Sequence, residues 1–189
     1  MDERLPDEAT TLFREPPESF VAARDELVVR LRGEGRSEEA AAIKSLRRPT
    51  AVVWALNQLS TRDPSGVQGL RSAGAELRAA QQATLSSSRA GADRLRSATA
   101  ARRAAVVQLA GVAGDLLEEA GRGGRPEEVD SALEAASVDE ETGERLAAGT
   151  LERSPEPVSG FGDVFGLSAI PGGAEGEDAP ARTGPSDND

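Results

Sequence analysis

The apolar residues of this chain recur every three or four positions from about residue 16 to about residue 151, which is the spacing of amphipathic helices. The densest run begins at Pro49, which suits the first turn of a helix because its φ is fixed and it lacks an N–H. The helix that follows is apolar on nearly every side, so we expect it to be the central helix of a small bundle. Its apolar residues are Val52, Val53, Trp54, Ala55, Leu56 and Leu59.

Two further helices are predicted before this central helix. The first starts at Pro16-Pro17, buries Phe20 and Leu31 on one face and ends at Gly33. The second starts at Ser37, which reads as a helix cap followed by acidic residues. Together with the central helix they predict a three-helix unit over residues 16–62. Residues 1–15 are polar and are expected to be loose, although Leu12 and Phe13 could dock on the bundle.

A long Ala-rich tract over residues 63–121 carries two apolar seams at coiled-coil spacing. The seams do not share a phase, and the break falls at residues 86–91, a Ser- and Gly-containing stretch followed by the candidate cap Asp93. We therefore predict an antiparallel, coiled-coil-like helical hairpin, and one long bent helix is the alternative. The seams are Leu70, Ala73, Leu77, Ala80 and Thr84, and then Ala92, Leu95, Thr99, Arg102, Val106, Leu109, Ala113 and Leu116.

Two short helices are predicted over residues 126–151, anchored by Leu133 and Leu146. From residue 154 to residue 189 the composition is dominated by Gly, Pro, Ser, Asp and Glu, which predicts disorder. An apolar island that includes Phe161 and Phe165 interrupts this tail. The predicted fold class is thus all-α: a helical bundle with a long antiparallel hairpin and a disordered acidic C-terminal tail.

Charge is distributed unevenly along the chain, whose formal net charge is −11. Residues 14–125 contain 18 Arg and Lys against 13 Asp and Glu, whereas residues 126–189 contain three Arg against 16 acids. The body is therefore mildly basic and the C-terminal part acidic. This local balance leaves nucleic-acid binding open although the total charge would argue against it.

The absence of Cys and His from the sequence excludes several kinds of chemistry. Disulfides, thiolate or imidazole metal sites and His-dependent triads are ruled out. The adjacent acids Glu118-Glu119 and Glu127-Glu128 point about 100° apart on a helix, so neither pair converges on one ligand. We expect no enzymatic activity, catalytic residue, cofactor or metal. No signal peptide or membrane-spanning run is visible in the sequence, so a cytoplasmic location without membrane attachment is expected.

Several basic residues lie close to the central helix in the sequence. Lys44, Arg47, Arg48 and Arg62 could contact phosphates if residues 37–61 formed a helix-turn-helix. Thr50, Asn57 and Gln58 are residue types that read base edges. The abrupt join at Arg48-Pro49 and the apolar character of the second helix favour ordinary solvated helix ends instead.

Arg24 lies within the apolar face of the first long helix, and its position needs an explanation. Its stem could pack while its head reaches solvent. Alternatively, its donors could pair with backbone carbonyls or with Asn57, whose side-chain oxygen is an acceptor. We predict a structural pair of Arg24 with Asn57 that fixes how the two helices meet.

Several of these residues form a recognisable pattern. It consists of Pro17-x-x-Phe20-x-x-x-Arg24, Leu46-Arg47-Arg48-Pro49-Thr50, Trp54-x-x-Asn57-x-Leu59, Leu133-Glu134-Ala135-Ala136, Gly149-x-Leu151 and Gly160-Phe161. The pattern resembles a family of uncharacterised actinobacterial helical proteins over most of residues 12–165. The resemblance implies a single module and transfers no functional residue.

The seams and the apolar island favour a helical scaffold or adaptor that binds another protein, with Phe161 and Phe165 as part of its interaction surface. The alternative function is a nucleic-acid-binding regulator that uses the mildly basic N-terminal body and is autoinhibited by the acidic tail.

Overall fold

The computed structural model describes residues 8–84 and 89–155, which form helices joined by short connections. The all-α prediction is confirmed, since no strand occurs in these two ranges. All of the described residues belong to one compact unit. Most of the predicted tail, including Phe161 and Phe165, lies outside them. The helices are α1 Glu8–Arg14, α2 Pro17–Gly33, α3 Ser37–Ser45, α4 Ala51–Arg62, α5 Pro64–Thr84, α6 Arg89–Glu119, α7 Pro126–Val138 and α8 Glu140–Ala148.

The N-terminal segment is more ordered than its polar composition predicts. Helix α1 buries Leu12 and Phe13, and the Phe13 ring lies 6.3 Å from that of Phe20 on α2. On the polar side of α1, Arg36 donates to Glu8 at 2.8 Å. The expectation that residues 1–15 are loose is therefore wrong for residues 8–14, because two apolar side chains dock there on α2 and its neighbours.

Two clusters of buried apolar side chains hold the helices together. The first joins α1, α2 and α3 and includes Phe13, Phe20, Leu31, Ile43 and Leu46. The second joins α4 to α8 and includes nearly all of the apolar residues of α4. The central helix therefore packs mainly with the C-terminal helices. The three-helix unit predicted over residues 16–62 requires α4 to share a core with α2 and α3. This prediction is wrong, because the apolar residues of α4 lie in the other cluster.

Helix α4 begins two residues later than expected. Thr50 is its N-cap, and its side-chain oxygen accepts from the backbone N–H of Val53 at 3.2 Å. Pro49 thus precedes the cap and lies in the extended connection 46–50, so its predicted place in the first helical turn is wrong. The hydroxyl of Thr50 satisfies one of the free N–H groups at the start of the helix, a role that Pro49 could not fill.

Helices α5 and α6 run antiparallel beside each other. Glu76 pairs with Arg94 at 3.0 Å, and Gln108 donates to Asp63 at 3.0 Å. Residues 76 and 94 would lie about 27 Å apart on one continuous helix, which excludes the single long helix. Residues 85–88 lie outside the described ranges. Helix α6 begins at Arg89, so the predicted loop over 86–91 is too long. Asp93 therefore lies inside the helix and does not cap it. Coiled-coil packing of α5 with α6 stays a prediction.

Helix α7 ends against α5 at a very close approach. A Cβ built on Gly74 of α5 would lie 1.9 Å from the backbone oxygen of Ser137. Beside this contact, Arg78 donates to the backbone oxygens of Ser137 and Val138 at 3.2 and 3.0 Å. A cation at a helix C-terminus is stabilising because the helix dipole and the free carbonyls both favour it. The Gly and the Arg together dock the end of α7 on α5.

Candidate interaction groove

The two polar residues of the predicted structural pair lie in different environments. Arg24 donates to the backbone oxygen of Leu46 at 2.9 Å and to the carboxylate of Asp25. Its helix packs on α3, whereas Asn57 lies in the other apolar cluster region. The predicted Arg24–Asn57 pair is therefore wrong, because the two helices share no core. The alternative of a backbone carbonyl partner for Arg24 is what the structure contains.

Asn57 is fully buried and makes a two-way hydrogen bond with a distant part of the chain. Its side-chain nitrogen donates to the backbone oxygen of Leu151 at 2.9 Å, and its side-chain oxygen accepts from the backbone N–H of Leu151 at 2.8 Å. Both backbone groups of Leu151 are thereby satisfied inside the protein. This contact, here termed the Asn57 clasp, holds the segment after α8 against the central helix.

The segment reaches the clasp through a left-handed turn at Gly149. Its φ of 70° ends α8, and its N–H bonds to Leu146. A Cβ on Gly149 would lie 2.9 Å from the backbone oxygen of Asn57 and 2.6 Å from the hydroxyl of Ser60. Glycine is therefore required here both for the turn and for the approach to α4.

The remaining residues of the helix-turn-helix interpretation are engaged inside the fold. Thr50 caps α4, Asn57 binds Leu151, and Gln58 donates to the backbone oxygen of Arg14 at 2.7 Å. Trp54 donates to the same oxygen at 3.2 Å. Helix α4 is enclosed by apolar neighbours, so it is not available as a recognition helix, and this interpretation of residues 37–61 is wrong.

The four basic residues predicted to form one patch do not act alike. Lys44 binds the carboxylate of Asp25 at 2.8 Å, and Arg62 binds Glu119 at 3.0 Å. Arg47 and Arg48 are exposed in the connection between α3 and α4. Two of the four positive charges are therefore neutralised by neighbours within the chain, and Arg47 and Arg48 are left in the extended connection.

Arg47 lines an open groove with a volume of about 810 Å³. Three separate parts of the chain form this groove. They are the end of α3 with the connection that follows it, the middle of α8, and residues 151–155 at and after the Asn57 clasp. The lining residues are Ser45, Arg47, Thr142, Arg145, Leu151, Glu152, Arg153, Ser154 and Pro155. Seven of these nine side chains are polar or charged.

Three arginines converge on the groove, and their pairing differs. Arg145 pairs with Glu141 at 2.6 Å. Arg47 and Arg153 are both exposed, and neither has a hydrogen bond or ion pair within the part of the chain that the structure describes. Most other arginines of the described helices are bound to an acid or a backbone oxygen. The groove therefore presents two guanidinium groups whose donors are free.

Sequence reasoning identified Arg47 but missed Arg145 and Arg153. They lie about 100 residues further along the chain, and their proximity to Arg47 depends on the clasp between Asn57 and Leu151. A possible signal was the Gly149-x-Leu151 step, since a glycine directly after a helix predicts a turn that redirects the chain. Nothing in the sequence pattern indicates where the redirected chain docks.

The glycine-rich connection 121–125 contacts two helices through Arg122. Arg122 lies over the Trp54 ring, 5.2 Å from its centre, and also pairs with Glu18 on α2. The hydrogen bond from Arg122 is the largest of the causes that lower the pKa of Glu18. One arginine thus links α2, α4 and the connection between α6 and α7.

Among the described residues, every carboxyl group with a shifted pKa has a lowered one. The pKa values of Glu8, Asp25 and Glu39 are lowered mainly by hydrogen bonds from Arg36 or Lys44. Those of Asp63 and Asp139 are lowered by turn and cap hydrogen bonds. Among the residues described, no group of acids is placed to hold a metal ion. The shifts have structural causes, and none raises a carboxyl pKa toward neutrality.

None of the helices in the described ranges is long and apolar enough to cross a bilayer. In comparisons with known proteins, no protein-family model, no curated protein and no solved structure matches the chain. The resemblance to an actinobacterial family of helical proteins therefore stays a prediction.

Proposed function

We propose that this protein is a non-enzymatic adaptor that binds another protein through the groove between α3, α8 and residues 151–155. The single observation that carries the proposal is the presence in this groove of two exposed guanidinium groups without partners in the described chain. Exposed arginines with free donors are typical of interaction surfaces, where Arg is enriched.

The lining supports a protein partner better than a small cofactor. Sites for small molecules are lined mainly by apolar and aromatic side chains with a few polar groups. Here Leu151 and Pro155 are the apolar members among nine lining residues. A polar, open groove of this kind is suited to the side chains and backbone of an extended segment.

Asp63 and Asp139 are not suited to general acid–base work near neutral pH. A general acid or base that works near neutral pH needs a pKa close to the working pH. The lowered carboxyl pKa values of Asp63 and Asp139 keep these groups ionised and bound to their turns. They therefore serve local structure in the two helix starts that they cap or precede.

The proposal is tested by site-specific photo-crosslinking in the cells that make the protein. A photoreactive phenylalanine analogue at Ser154, which lines the groove, should yield a discrete covalent adduct with another protein. The same analogue at Ala100, which is exposed on α6 and does not line the groove, is the control. Mass spectrometry of the adducts identifies what was captured.

Adducts at Ser154 that are missing at Ala100 support the proposal. Equal labelling at both positions, or no protein adduct at Ser154, contradicts it. Adducts with nucleic acid alone would favour the regulator that the mildly basic body suggests.

A further inference from the structure

Building on the proposed function, we propose that the groove takes an acidic segment of the partner protein, two of whose carboxylates are bound by Arg47 and Arg153. The guanidinium group presents paired N–H donors that match the two oxygens of a carboxylate. Arg47 and Arg153 line the same groove from two different parts of the chain, namely the α3–α4 connection and the segment after the Asn57 clasp. A chain lying in the groove would therefore meet both guanidinium groups.

The groove's other polar groups are consistent with an extended peptide. Ser45 uses its hydroxyl to donate to Ala42, and Thr142 to donate to Asp139, so their oxygens keep acceptor capacity. Glu152 also lines the groove and supplies one negative charge. A peptide can place a backbone N–H opposite Glu152 and side-chain carboxylates opposite the two arginines, because every residue carries a backbone donor beside its side chain.

A nucleic acid fits the same groove less well. Strong salt-dependent binding of nucleic acid rests on several phosphate contacts, about six to ten in a well-developed interface, whereas the groove has two arginines without partners in the described chain. Two charge-assisted contacts are enough to orient a short acidic segment.

The proposal is tested with a fluorescently labelled deca-glutamate peptide and the full-length protein, by fluorescence anisotropy at low ionic strength. The net charge of −11 opposes non-specific attraction of this peptide, so binding would report a local site. The test variant combines Arg47→Gln with Arg153→Gln. Both side chains are exposed and unpaired in the described chain, so their loss should leave the fold intact, which circular dichroism checks.

The matched control combines Arg32→Gln with Arg103→Gln. These two arginines are also exposed and have no ion pair within residues 8–84 and 89–155. Because two arginines are replaced in each variant, the net charge changes by the same amount in both. We expect the groove variant to bind deca-glutamate about tenfold more weakly or worse, because two charge-assisted contacts are lost. The control should stay within about twofold of the wild type.

Three results would overturn the proposal. The first is no binding of deca-glutamate to the wild type, and the second is equal weakening of that binding in both variants. The third is that duplex DNA binds the wild type more tightly than deca-glutamate does and that this binding depends on Arg47 and Arg153. Competition provides a second measurement, since unlabelled deca-glutamate should reduce the protein adduct formed at Ser154. If the adduct forms and the peptide neither binds nor competes, the proposed function stands and this inference fails. If no protein adduct forms at Ser154, the proposed function itself fails.

Discussion

The buried side-chain amide of Asn57 replaces a backbone segment as the hydrogen-bond partner of Leu151. It offers one donor and one acceptor to Leu151, as a neighbouring strand would, and so allows an irregular segment to lie in the interior. The residue after next, Arg153, is then placed at the groove. A buried side chain that does not line the groove thus determines where a proposed binding residue lies.

Replacement of Asn57 by Ala should destabilise the protein by about 2–6 kcal/mol. The substitution leaves two buried backbone groups of Leu151 unsatisfied, and each costs about 1–3 kcal/mol. Urea unfolding measures the effect. Gln58→Ala is the matched control, because that amide makes one hydrogen bond at a more exposed position and its loss should cost about 1 kcal/mol or less. Equal losses in the two variants would contradict the role given to the clasp.

Asp139, at the start of α8, makes a pH-dependent contribution to the stability of the folded protein. Hydrogen bonds from the hydroxyl and the backbone N–H of Thr142 lower its pKa below the ordinary value of 3.8. Because the folded pKa is below the unfolded one, the contribution is complete above the ordinary pKa and is lost as the pH falls through the folded pKa. The stability difference between wild type and Asp139→Ala should be about 1 kcal/mol at neutral pH and shrink below about pH 4.

The control for this prediction is Asp139→Asn, since Asn also caps helices well but does not titrate. Its stability should stay close to that of the wild type at neutral pH. Thermal unfolding at a series of pH values checks both variants. A difference for Asp139→Ala that remains constant from neutral to strongly acidic pH would show that the ionised carboxylate is not what stabilises the helix start.

Polar partners were the hardest feature to predict at this scale. The apolar face around Arg24 correctly indicated that its head group needs an acceptor, and a backbone carbonyl supplies it. The partner of Asn57 lies 94 positions away in the sequence. Helical periodicity reports which face of a helix is buried, but it does not report which other segment covers that face.

At the scale of elements, two glycines on α5 have opposite expected effects. A Cβ on Gly74 would collide with the backbone oxygen of Ser137 at 1.9 Å, whereas a Cβ on Gly69 would meet nothing within 4 Å. Gly69→Ala should therefore stabilise the protein by up to about 1 kcal/mol, because Ala has the higher helix propensity. Gly74→Ala should destabilise it by about 1–3 kcal/mol, because the backbone of α7 must shift.

Differential scanning calorimetry of these two variants checks the packing of α7 on α5. The pair shares helix, residue type and substitution, so intrinsic propensity cancels between them. Stabilisation by Gly74→Ala comparable to that by Gly69→Ala would mean that α7 does not end against α5 as described.

The positions of the helices followed largely from the sequence, and their ends less so. The spacing of apolar residues predicted α2 to α8, but α4 begins after Pro49 and α6 begins before Gly91. The start of α4 is set by the capping hydroxyl of Thr50 rather than by the preceding proline. Helix α1 was missed because seven residues are too few for a clear periodic pattern.

For the whole molecule, the chain order of the helices conceals their grouping. Helix α4 follows α3 directly, yet its apolar residues belong to the cluster formed with α5 to α8. Arg122 and the carbonyl of Arg14 then tie α4 to the N-terminal cluster at Trp54. The groove arises where the two groups meet, so its arginines come from positions that no local motif contains.

The most direct test of the central claim is an NMR titration of the isotopically labelled, full-length protein with deca-glutamate, followed through the Nε–Hε signals of its arginines. We expect saturable shifts for Arg47 and Arg153 and little change for the exposed Arg32 and Arg103. Shifts of similar size at all four arginines, or shifts at Arg32 and Arg103 without any at Arg47 and Arg153, would contradict the assignment of the groove as the binding site.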